Sequence, residues 1–127
     1  MQAMRTNENK NLITEFIATV FNTHDVDALP RFVSNDRLIG AARGLVTGVP
    51  DVQITIQHVI VEGDLVAVRM AGQGTHTGLW RGLQPTGKPG EAACNAHYRV
   101  ANGRIVDFWV MWDWLSIMRQ LGAVTGL

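Results

Sequence analysis

Two alternating segments meet at an Asn-Gly pair in residues 92–112, which read AACNAHYRVANGRIVDFWVMW. Asn102-Gly103 is the strongest short-range indication of a two-residue hairpin, because both residues tolerate the positive φ angles that the turn requires. Apolar and polar side chains alternate on either side of the pair, as they do in strands with one buried face. The stretch therefore predicts two adjacent antiparallel strands over residues 92–100 and 104–112.

A second hairpin is predicted upstream of the first. Residues 52–57 alternate Val or Ile with Gln or Thr, which is typical of a half-buried strand. Glu62-Gly63-Asp64 then turns the chain into an apolar segment over residues 65–70, where both faces are expected to be largely covered. Glycines beyond it predict bends in a curved strand that continues towards Trp80. Residues 83–90 hold two prolines and two glycines and form a predicted loop.

Helices are predicted on either side of these strands. Residues 9–22 carry apolar side chains at helical spacing, and shorter helical patterns follow after Asp25, over residues 36–46 and over residues 114–121. Helices that precede a run of antiparallel strands predict an α+β fold, with the N-terminal helices packed on one face of the sheet. A curved sheet closed by helices forms a cone-shaped α+β barrel, whose central pocket is the default ligand site.

Length and composition predict one globular domain over residues 1–127. The chain is 46% apolar and 17% charged, and its 11 basic side chains are balanced by 11 acidic ones. The basic residues are not clustered, so nucleic acid is not an expected partner. No apolar run approaches the roughly 20 residues that span a bilayer, so no membrane association is expected. The polar opening lacks a secretory signal, and a cytoplasmic location is expected.

Metal and nucleotide cofactors are not expected. The His, Cys, Asp and Glu residues do not show the short spacings that are typical of zinc sites. No glycine-rich phosphate loop follows a predicted strand. The single cysteine, Cys94, excludes an internal disulfide framework. Any chemistry of this chain is therefore expected to rely on its own side chains.

Five groups of residues resemble motifs of the SnoaL-like polyketide cyclases, in the same order along nearly the whole chain. They are Asn22-Thr23-His24-Asp25 with Asp27-Ala28-Leu29, residues 62–69 (EGDLVAVR), residues 74–78 (GTHTG), residues 85–88 (PTGK), and residues 103–107 (GRIVD) followed by Trp109 and Asp113. The resemblance implies the cone-shaped nuclear transport factor 2 fold. It also implies a small cofactor-free enzyme that acts on a hydrophobic polycyclic polyketide by intramolecular aldol chemistry, usually as an oligomer.

Other members of the wider fold carry out other reactions, so the fold does not determine the activity. The first alternative is a polyketide hydroxylase that activates oxygen without metal or flavin, with a separate reductase as partner. The second is a non-catalytic ligand-binding or dimerisation module. A homodimer is expected, because a sheet that is apolar on both faces must cover the outer one. The family usually has a strand between the second and third helices, where this sequence has only Ser34-Asn35.

Asp113 is the candidate catalytic base. It lies between Trp112 and Trp114, close to Trp109, where the last strand gives way to the last helix. A carboxylate against aromatic walls loses hydration, which disfavours its charged form and makes it a stronger base. By resemblance it matches the family's catalytic acidic position. The alternative interpretation is that Asp113 caps the closing helix, a role that Asp fills well.

His97 and Asn95 are the candidate groups for holding an enolate, with His97 as the catalytic member. They share one face of the predicted strand with Arg99, opposite the face that holds Cys94, because side chains alternate along a strand. If the polar face lines the cone, both residues can hydrogen-bond a substrate carbonyl and stabilise the charge that proton removal creates. The alternative is that this face is exposed and the face with Cys94 is packed.

The remaining substrate-binding candidates are one charge and several large apolar side chains. Arg69 interrupts an apolar strand, so it either binds an acidic substrate group or pairs with Asp107 or Glu91. Indole rings are surfaces on which a flat fused-ring substrate stacks, although such residues also fill cores and dimer interfaces. The apolar candidates are Trp80, Trp109, Trp112, Phe32 and Met70. His76 is interpreted as structural or as part of the pocket rim.

Overall fold

The computed structural model describes residues 2–124, with side chains from residue 3 onwards. Its helices are α1 (Gln2–Phe16), which continues as a π-helical segment (Ile17–Asn22), a 3-10 turn (Val26–Ala28), α2 (Leu29–Phe32), α3 (Asp36–Gly48) and α4 (Trp114–Gln120). Its strands are β1 (Gln53–Glu62), β2 (Leu65–Thr75), β3 (Pro89–Ala101) and β4 (Arg104–Trp112). Within these residues, no helix has both the length and the apolar character needed to cross a membrane.

The four strands form one antiparallel sheet in the order β1, β2, β3, β4. The turn between β3 and β4 is made by Asn102 and Gly103, with φ angles of 53° and 74°, as the Asn-Gly pair predicts. The strand register shifts at residues 56–58 in β1 and at residues 99–100 in β3. Such irregularities bend a strand and increase its twist, which helps the sheet curve around the helices.

The helices cover one face of the sheet, here termed the inner face. Its central side chains are buried, and they are Val66, Val68, Met70, Cys94, Ala96 and Tyr98. Phe16 of α1 packs against this face, with its ring 5.9 Å from the Tyr98 ring and 6.1 Å from the Phe32 ring of α2. The predicted α+β architecture, with N-terminal helices on a curved antiparallel sheet, is confirmed.

The opposite face of the sheet, the outer face, is open in this chain. On β2, Leu65 and Arg69 are exposed, whereas Val66 and Val68 on the inner face are buried. The prediction that both faces of β2 would be largely covered is therefore wrong. An apolar side chain tends to be buried, but the sequence does not show which element covers it.

Two elements have different bounds from the predicted ones. Helix α1 begins at Gln2 rather than at residue 9, because its first turns are mostly polar and exposed and so lack the apolar repeat of a packed helix. Strand β2 ends at Thr75 and does not continue to Trp80, which instead pairs with Leu83 in an isolated bridge.

The connection between α2 and α3 is short and extended. Val33 pairs with Ile105 of β4 in an isolated parallel bridge, and the Ser34 N–H donates to the Ile105 carbonyl at 3.0 Å. The Asn35 side chain then accepts two backbone N–H groups from the first turn of α3 and caps that helix. In the described chain, a single bridge lies between α2 and α3, at the short connection where the family usually has a strand.

Candidate active site

A pocket opens between the inner face of the sheet and the ends of α3 and α4, and it is termed the inner pocket. Its cavity has a volume of about 50 Å³ and opens to solvent on one side. Leu45 and Val49 line it from the end of α3, Trp112 from β4, and Ile117 and Leu121 from the region of α4. The walls are therefore mainly apolar, as small-molecule sites usually are. The inner pocket is the central pocket that the cone-shaped fold predicts.

Two indole rings shape the inner pocket, and glycines make room for both. A Cβ atom on Gly72 would lie 2.8 Å from Cη2 of Trp112, so the ring occupies the place where a side chain on β2 would be. A Cβ atom on Gly48, at the end of α3, would overlap the side chain of Trp80. Both tryptophans are predicted substrate-binding residues, and the structure brings them to the same pocket.

His76 is a buried polar side chain that lines the inner pocket, with only 1% of its surface exposed. Its Nδ1 accepts the backbone N–H of Thr86 at 3.2 Å and lies 3.0 Å from the Thr86 hydroxyl. A ring nitrogen that accepts an N–H carries no proton, so the neutral ring carries its proton on Nε2. Among the described residues, Nε2 has no hydrogen-bond partner.

Backbone hydrogen bonds hold His76 in place from both sides. Its N–H donates to the Lys88 carbonyl at 3.0 Å, and its carbonyl accepts the Gly87 N–H at 2.8 Å. One residue earlier, the Asp51 carboxylate accepts the backbone N–H of Thr75 at 2.7 Å and its hydroxyl at 2.8 Å. The backbone hydrogen bond from Thr75 is the main cause that lowers the pKa of Asp51 from its usual value.

The loop after His76 holds Trp80 beside the inner pocket. Trp80 and Leu83 exchange two backbone hydrogen bonds across a tight turn. The Trp80 ring lies 6.3 Å from the His76 ring and 5.4 Å from the Trp114 ring, and the Arg81 guanidinium lies over the same Trp114 ring at 4.3 Å. Trp80 is thereby held between the buried imidazole and α4.

Two charged residues, Glu91 and Lys88, are among the residues that line the inner pocket, and both are exposed. Among the described lining residues, Glu91 is the only one with a carboxylate and Lys88 the only permanent cation. The Glu91 backbone is joined to the side chain of Gln120 by reciprocal hydrogen bonds of 2.8 Å. The described chain has no group of three His, Cys, Asp or Glu residues that could hold a metal ion. The inner pocket thus combines apolar walls with one buried donor.

A family model of the SnoaL-like polyketide cyclases matches residues 1–121. The chain belongs to the SnoaL-like polyketide cyclase family. The two motifs that build the His76 environment, at residues 74–78 and 85–88, lie within the matched region. No match was found among curated protein sequences.

Several solved structures share the fold of this chain. TsrD from Streptomyces laurentii is 23% identical, with a TM-score of 0.82 over 93% of this chain and 97% of that one. AclR from Streptomyces galilaeus, a proposed hydroxylase, is 24% identical, with a TM-score of 0.82 over 96% and 85%. IdmH from Streptomyces antibioticus, a proposed polyketide cyclase, is 26% identical, with a TM-score of 0.74 over 90% and 98%. The fold is therefore the nuclear transport factor 2-like fold of this family.

In this SnoaL-like chain, Asp113 lies across the sheet from the inner pocket. Its exposed side chain accepts the Ser116 N–H at 3.2 Å and caps α4. Trp112 lines the inner pocket and Asp113 an outer depression, since successive residues of a strand point to opposite faces. The capping interpretation is confirmed, and the expectation that aromatic walls desolvate this carboxylate is wrong. The predicted role of Asp113 as a base remains a prediction.

Asn95 and His97 lie on the outer face and are exposed. The buried face of β3 is the one that holds Cys94 and Ala96, so the expectation that the polar face lines the cone is wrong. Small apolar side chains pack under the helices, while the amide and the imidazole keep their contact with water on the other face. The structure separates both residues from Trp80, and their predicted roles on an enolate remain predictions.

Arg69 and Trp109 also lie on the outer face. Arg69 donates to the side-chain oxygens of Gln57 at 3.2 Å and Asn95 at 3.4 Å. Its partners are thus amides, and the expected ion pair with a carboxylate is not formed in the described chain. Trp109 is 49% exposed and pairs with His97 across the strands. Neither side chain reaches the inner pocket.

Phe32 and Met70 belong to the hydrophobic core. Each is only 2% exposed, and neither lines the inner pocket. Phe32 packs against Phe16, and Met70 lies opposite Cys94 on the neighbouring strand. Helical and strand spacing places both residues inside correctly, but spacing does not distinguish the core from a pocket wall.

The sequence predicts that His76 is structural or part of the pocket rim, and the structure places it, buried, in the wall of the inner pocket. The sequence signal for this position is divided between two motifs, GTHTG at residues 74–78 and PTGK at residues 85–88. In the structure the histidine of the first motif is hydrogen-bonded to Thr86 of the second. Both motifs are visible in the sequence, but their contact is not.

Proposed function

We propose that the chain is a cofactor-free enzyme that closes a ring of a hydrophobic polycyclic polyketide by intramolecular aldol chemistry. The observation that carries this proposal is the inner pocket, an apolar space beside Trp80 and Trp112 that contains one buried donor, Nε2 of His76, for which the described residues offer no partner. Flat fused rings stack on indole surfaces, and a carbonyl oxygen is the acceptor that such a donor lacks. Membership of the SnoaL-like family supports the same class of reaction.

The proposed ring closure needs a proton acceptor and a fixed substrate conformation. A proton leaves the carbon beside one carbonyl, the resulting carbanion bonds to a second carbonyl carbon of the same molecule, and the oxygen of that carbonyl takes up a proton. A methylene between two carbonyls is acidic, and our candidate acceptor is the carboxylate of Glu91, an exposed residue that lines both the inner pocket and the outer depression beside Asp113. Holding the two ends of one molecule together provides much of the remaining acceleration.

Turnover of polycyclic aromatic precursors with a β-dicarbonyl side chain tests the proposal. The product mass and the oxygen uptake are measured for the wild type, Glu91→Gln and Asp113→Asn. We expect an isomer of unchanged mass, or its dehydration product, and a loss of about a hundredfold or more in turnover for Glu91→Gln. If Asp113→Asn loses turnover and Glu91→Gln does not, the base is Asp113. If no precursor is converted, the chain is better described as a binding module.

A hydroxylase is the second candidate, because AclR, a proposed hydroxylase, covers 96% of this chain at a TM-score of 0.82. The same substrate carbanion would then attack dioxygen instead of a carbonyl carbon. One oxygen atom enters the product and the other leaves as water, which takes two electrons and two protons from a reduced substrate or a separate reductase. A product heavier by one oxygen atom, with oxygen consumed, would favour this reaction over ring closure.

A further inference from the structure

We propose that the Nε2–H of His76 is the donor that binds a carbonyl oxygen of the bound molecule, and that Thr86 keeps the ring in the tautomer that donates. This inference deepens the proposed function and depends on the inner pocket being the substrate site. His76 would be a catalytic residue in the strict sense, because it touches the reacting oxygen. Thr86 would be a positioning residue.

The tautomer follows from the donors that face Nδ1. A backbone N–H can only donate, and that of Thr86 points at Nδ1 of His76 at 3.2 Å. The Thr86 hydroxyl accepts the Lys88 N–H at 3.3 Å, which leaves its own proton free to point at Nδ1 at 3.0 Å. A proton on Nδ1 would point at the proton of the Thr86 N–H, and the two N–H groups would repel each other. The ring is therefore neutral and keeps its proton on Nε2.

The partner that Nε2–H lacks is an acceptor within an apolar setting. Buried polar atoms in native proteins are nearly always hydrogen-bonded, and this one has no partner in the described part of the chain. A buried water usually needs two to four polar partners, whereas the side chains that share this pocket are mainly apolar, such as Leu45, Trp80 and Trp112. A carbonyl oxygen on an otherwise apolar ring system accepts the hydrogen bond from Nε2, while the rest of the ring system packs against the apolar walls.

A fixed donor of this kind also suits the chemistry of ring closure. When the carbanion attacks a carbonyl carbon, the electron pair of that C=O bond moves onto its oxygen, and a hydrogen bond to that oxygen strengthens as the charge grows. Because Nδ1 is already occupied, His76 donates without accepting the substrate proton. The proton lost from carbon goes to another group, for which the carboxylate of Glu91 is our candidate.

Nitrogen-15 NMR of the wild-type protein with labelled histidine tests the carbonyl contact directly. The probes are 1-tetralone, a bicyclic aromatic ketone, and tetralin, which has the same ring system without the carbonyl. We expect the His76 resonances to show a protonated Nε2 and an unprotonated Nδ1 before any probe is added. Addition of 1-tetralone is expected to shift the Nε2 signal, and addition of tetralin is expected to leave it nearly unchanged.

Two matched variants extend the test to affinity. Gln and Met have similar shapes, so His76→Gln and His76→Met differ mainly in their ability to donate a hydrogen bond. We expect the wild type to bind 1-tetralone about tenfold more tightly than tetralin, which is the size of one ordinary hydrogen bond. His76→Gln should keep part of this preference and His76→Met should lose it. Thr86→Val retains the backbone N–H and should retain the Nε2–H tautomer.

Several results would overturn the proposal. They are a free protein with a proton on Nδ1, failure of 1-tetralone to bind, and binding that leaves the Nε2 signal of wild-type His76 in place. These measurements need only the wild type, so they decide the question even if a variant does not fold. A ketone-dependent shift without turnover of any precursor would keep the carbonyl contact and remove the proposed activity. Turnover of a precursor without a ketone-dependent shift would keep the proposed activity and remove the carbonyl contact.

Discussion

The indole of Trp112 lies over Gly72, although the two residues are on strands separated by β3. Trp112 pairs with Cys94, and Gly72 pairs with Ala92 on the same strand, so the ring reaches diagonally across β3. A Cβ atom on Gly72 would lie 2.8 Å from Cη2 and 2.9 Å from Cζ3 of that ring. The position of this pocket wall therefore depends on the absence of a side chain at residue 72.

Gly72→Ala is expected to displace Trp112 and to narrow the inner pocket. Overpacking of this kind typically destabilises a protein by about 1–3 kcal/mol. We expect a loss of that size in urea unfolding, together with weaker binding of 1-tetralone. The control is Gly44→Ala in α3, where a Cβ atom meets nothing within 4 Å and should stabilise the helix by about 0.5–1 kcal/mol. Unchanged stability and binding in Gly72→Ala would contradict the packing argument.

The capping role of Asp113 predicts different effects for two substitutions. Asp113→Ala removes the acceptor for the Ser116 N–H and should cost about 1 kcal/mol in the free energy of unfolding. Asp113→Asn keeps an equally good cap and should leave stability nearly unchanged. Urea unfolding of both variants measures the difference. Equal stability of the two variants would show that the cap contributes little.

Much of the fold could be predicted because its signals are local. Asn102 and Gly103 specify a hairpin by themselves, and the apolar repeat of residues 9–22 specifies a packed helix wherever it lies in the fold. The strand alternation also divides β3 correctly into a polar and an apolar face. These properties depend on residues that are close together in the sequence.

The site was harder to predict because it depends on contacts between distant residues. Alternation separates His97 from Cys94, but it does not state which face the helices cover. The role of His76 depends on Thr86, ten residues away across a loop. Asp113 is surrounded by aromatic residues in the sequence, yet its neighbour Trp112 takes the inner position and leaves the carboxylate outside.

Asp51 is expected to make stability depend on acid pH. Its pKa is lower in the folded chain than in the unfolded one, mainly because it accepts the Thr75 N–H. The stability that Asp51 contributes is therefore present above its unfolded pKa of ~3.9, and it is lost as the pH falls through the lower folded pKa. The difference in urea midpoint between the wild type and Asp51→Ala should shrink as the pH is lowered from about 7 towards 3.

The control for Asp51 is Asp25→Ala, because Asp25 is exposed and its side chain makes no capping hydrogen bond. That variant should differ from the wild type by only a small amount. A constant difference between the wild type and Asp51→Ala across the same pH range would show that the hydrogen bonds to Thr75 do not stabilise the charged carboxylate.

Cys94 is expected to resist thiol reagents while the protein is folded. Its side chain is buried on the inner face, and desolvation raises the pKa of its thiol to about 12. Little reactive thiolate is then present at mildly alkaline pH. Alkylation should be slow in buffer and fast in concentrated urea. The control is Cys94→Ala with Gln84→Cys, which moves the thiol to the exposed loop before β3. Similar rates for both folded proteins would contradict the burial of Cys94.

We propose that a second copy of the chain packs on the outer face. A homodimer is also what the sequence predicts. Ile60, Ala67, His97 and Trp109 form one row across the four strands. Ile60 is 67% exposed and Trp109 is 49% exposed, and monomeric proteins rarely leave large contiguous apolar surfaces uncovered. A twofold axis through this face would cover the same row on both copies.

Sedimentation of the wild type and of Trp109→Glu over a range of concentrations tests this arrangement. The wild type should be a dimer, and Trp109→Glu should be a folded monomer, because the substitution replaces an apolar contact on each copy with a carboxylate that the interface would have to desolvate. The control is Leu79→Glu, since Leu79 is 52% exposed but lies in the loop after His76, away from the sheet. That variant should remain a dimer. A monomeric wild type, or a Trp109→Glu dimer as strong as the wild type, would exclude the outer face as the interface.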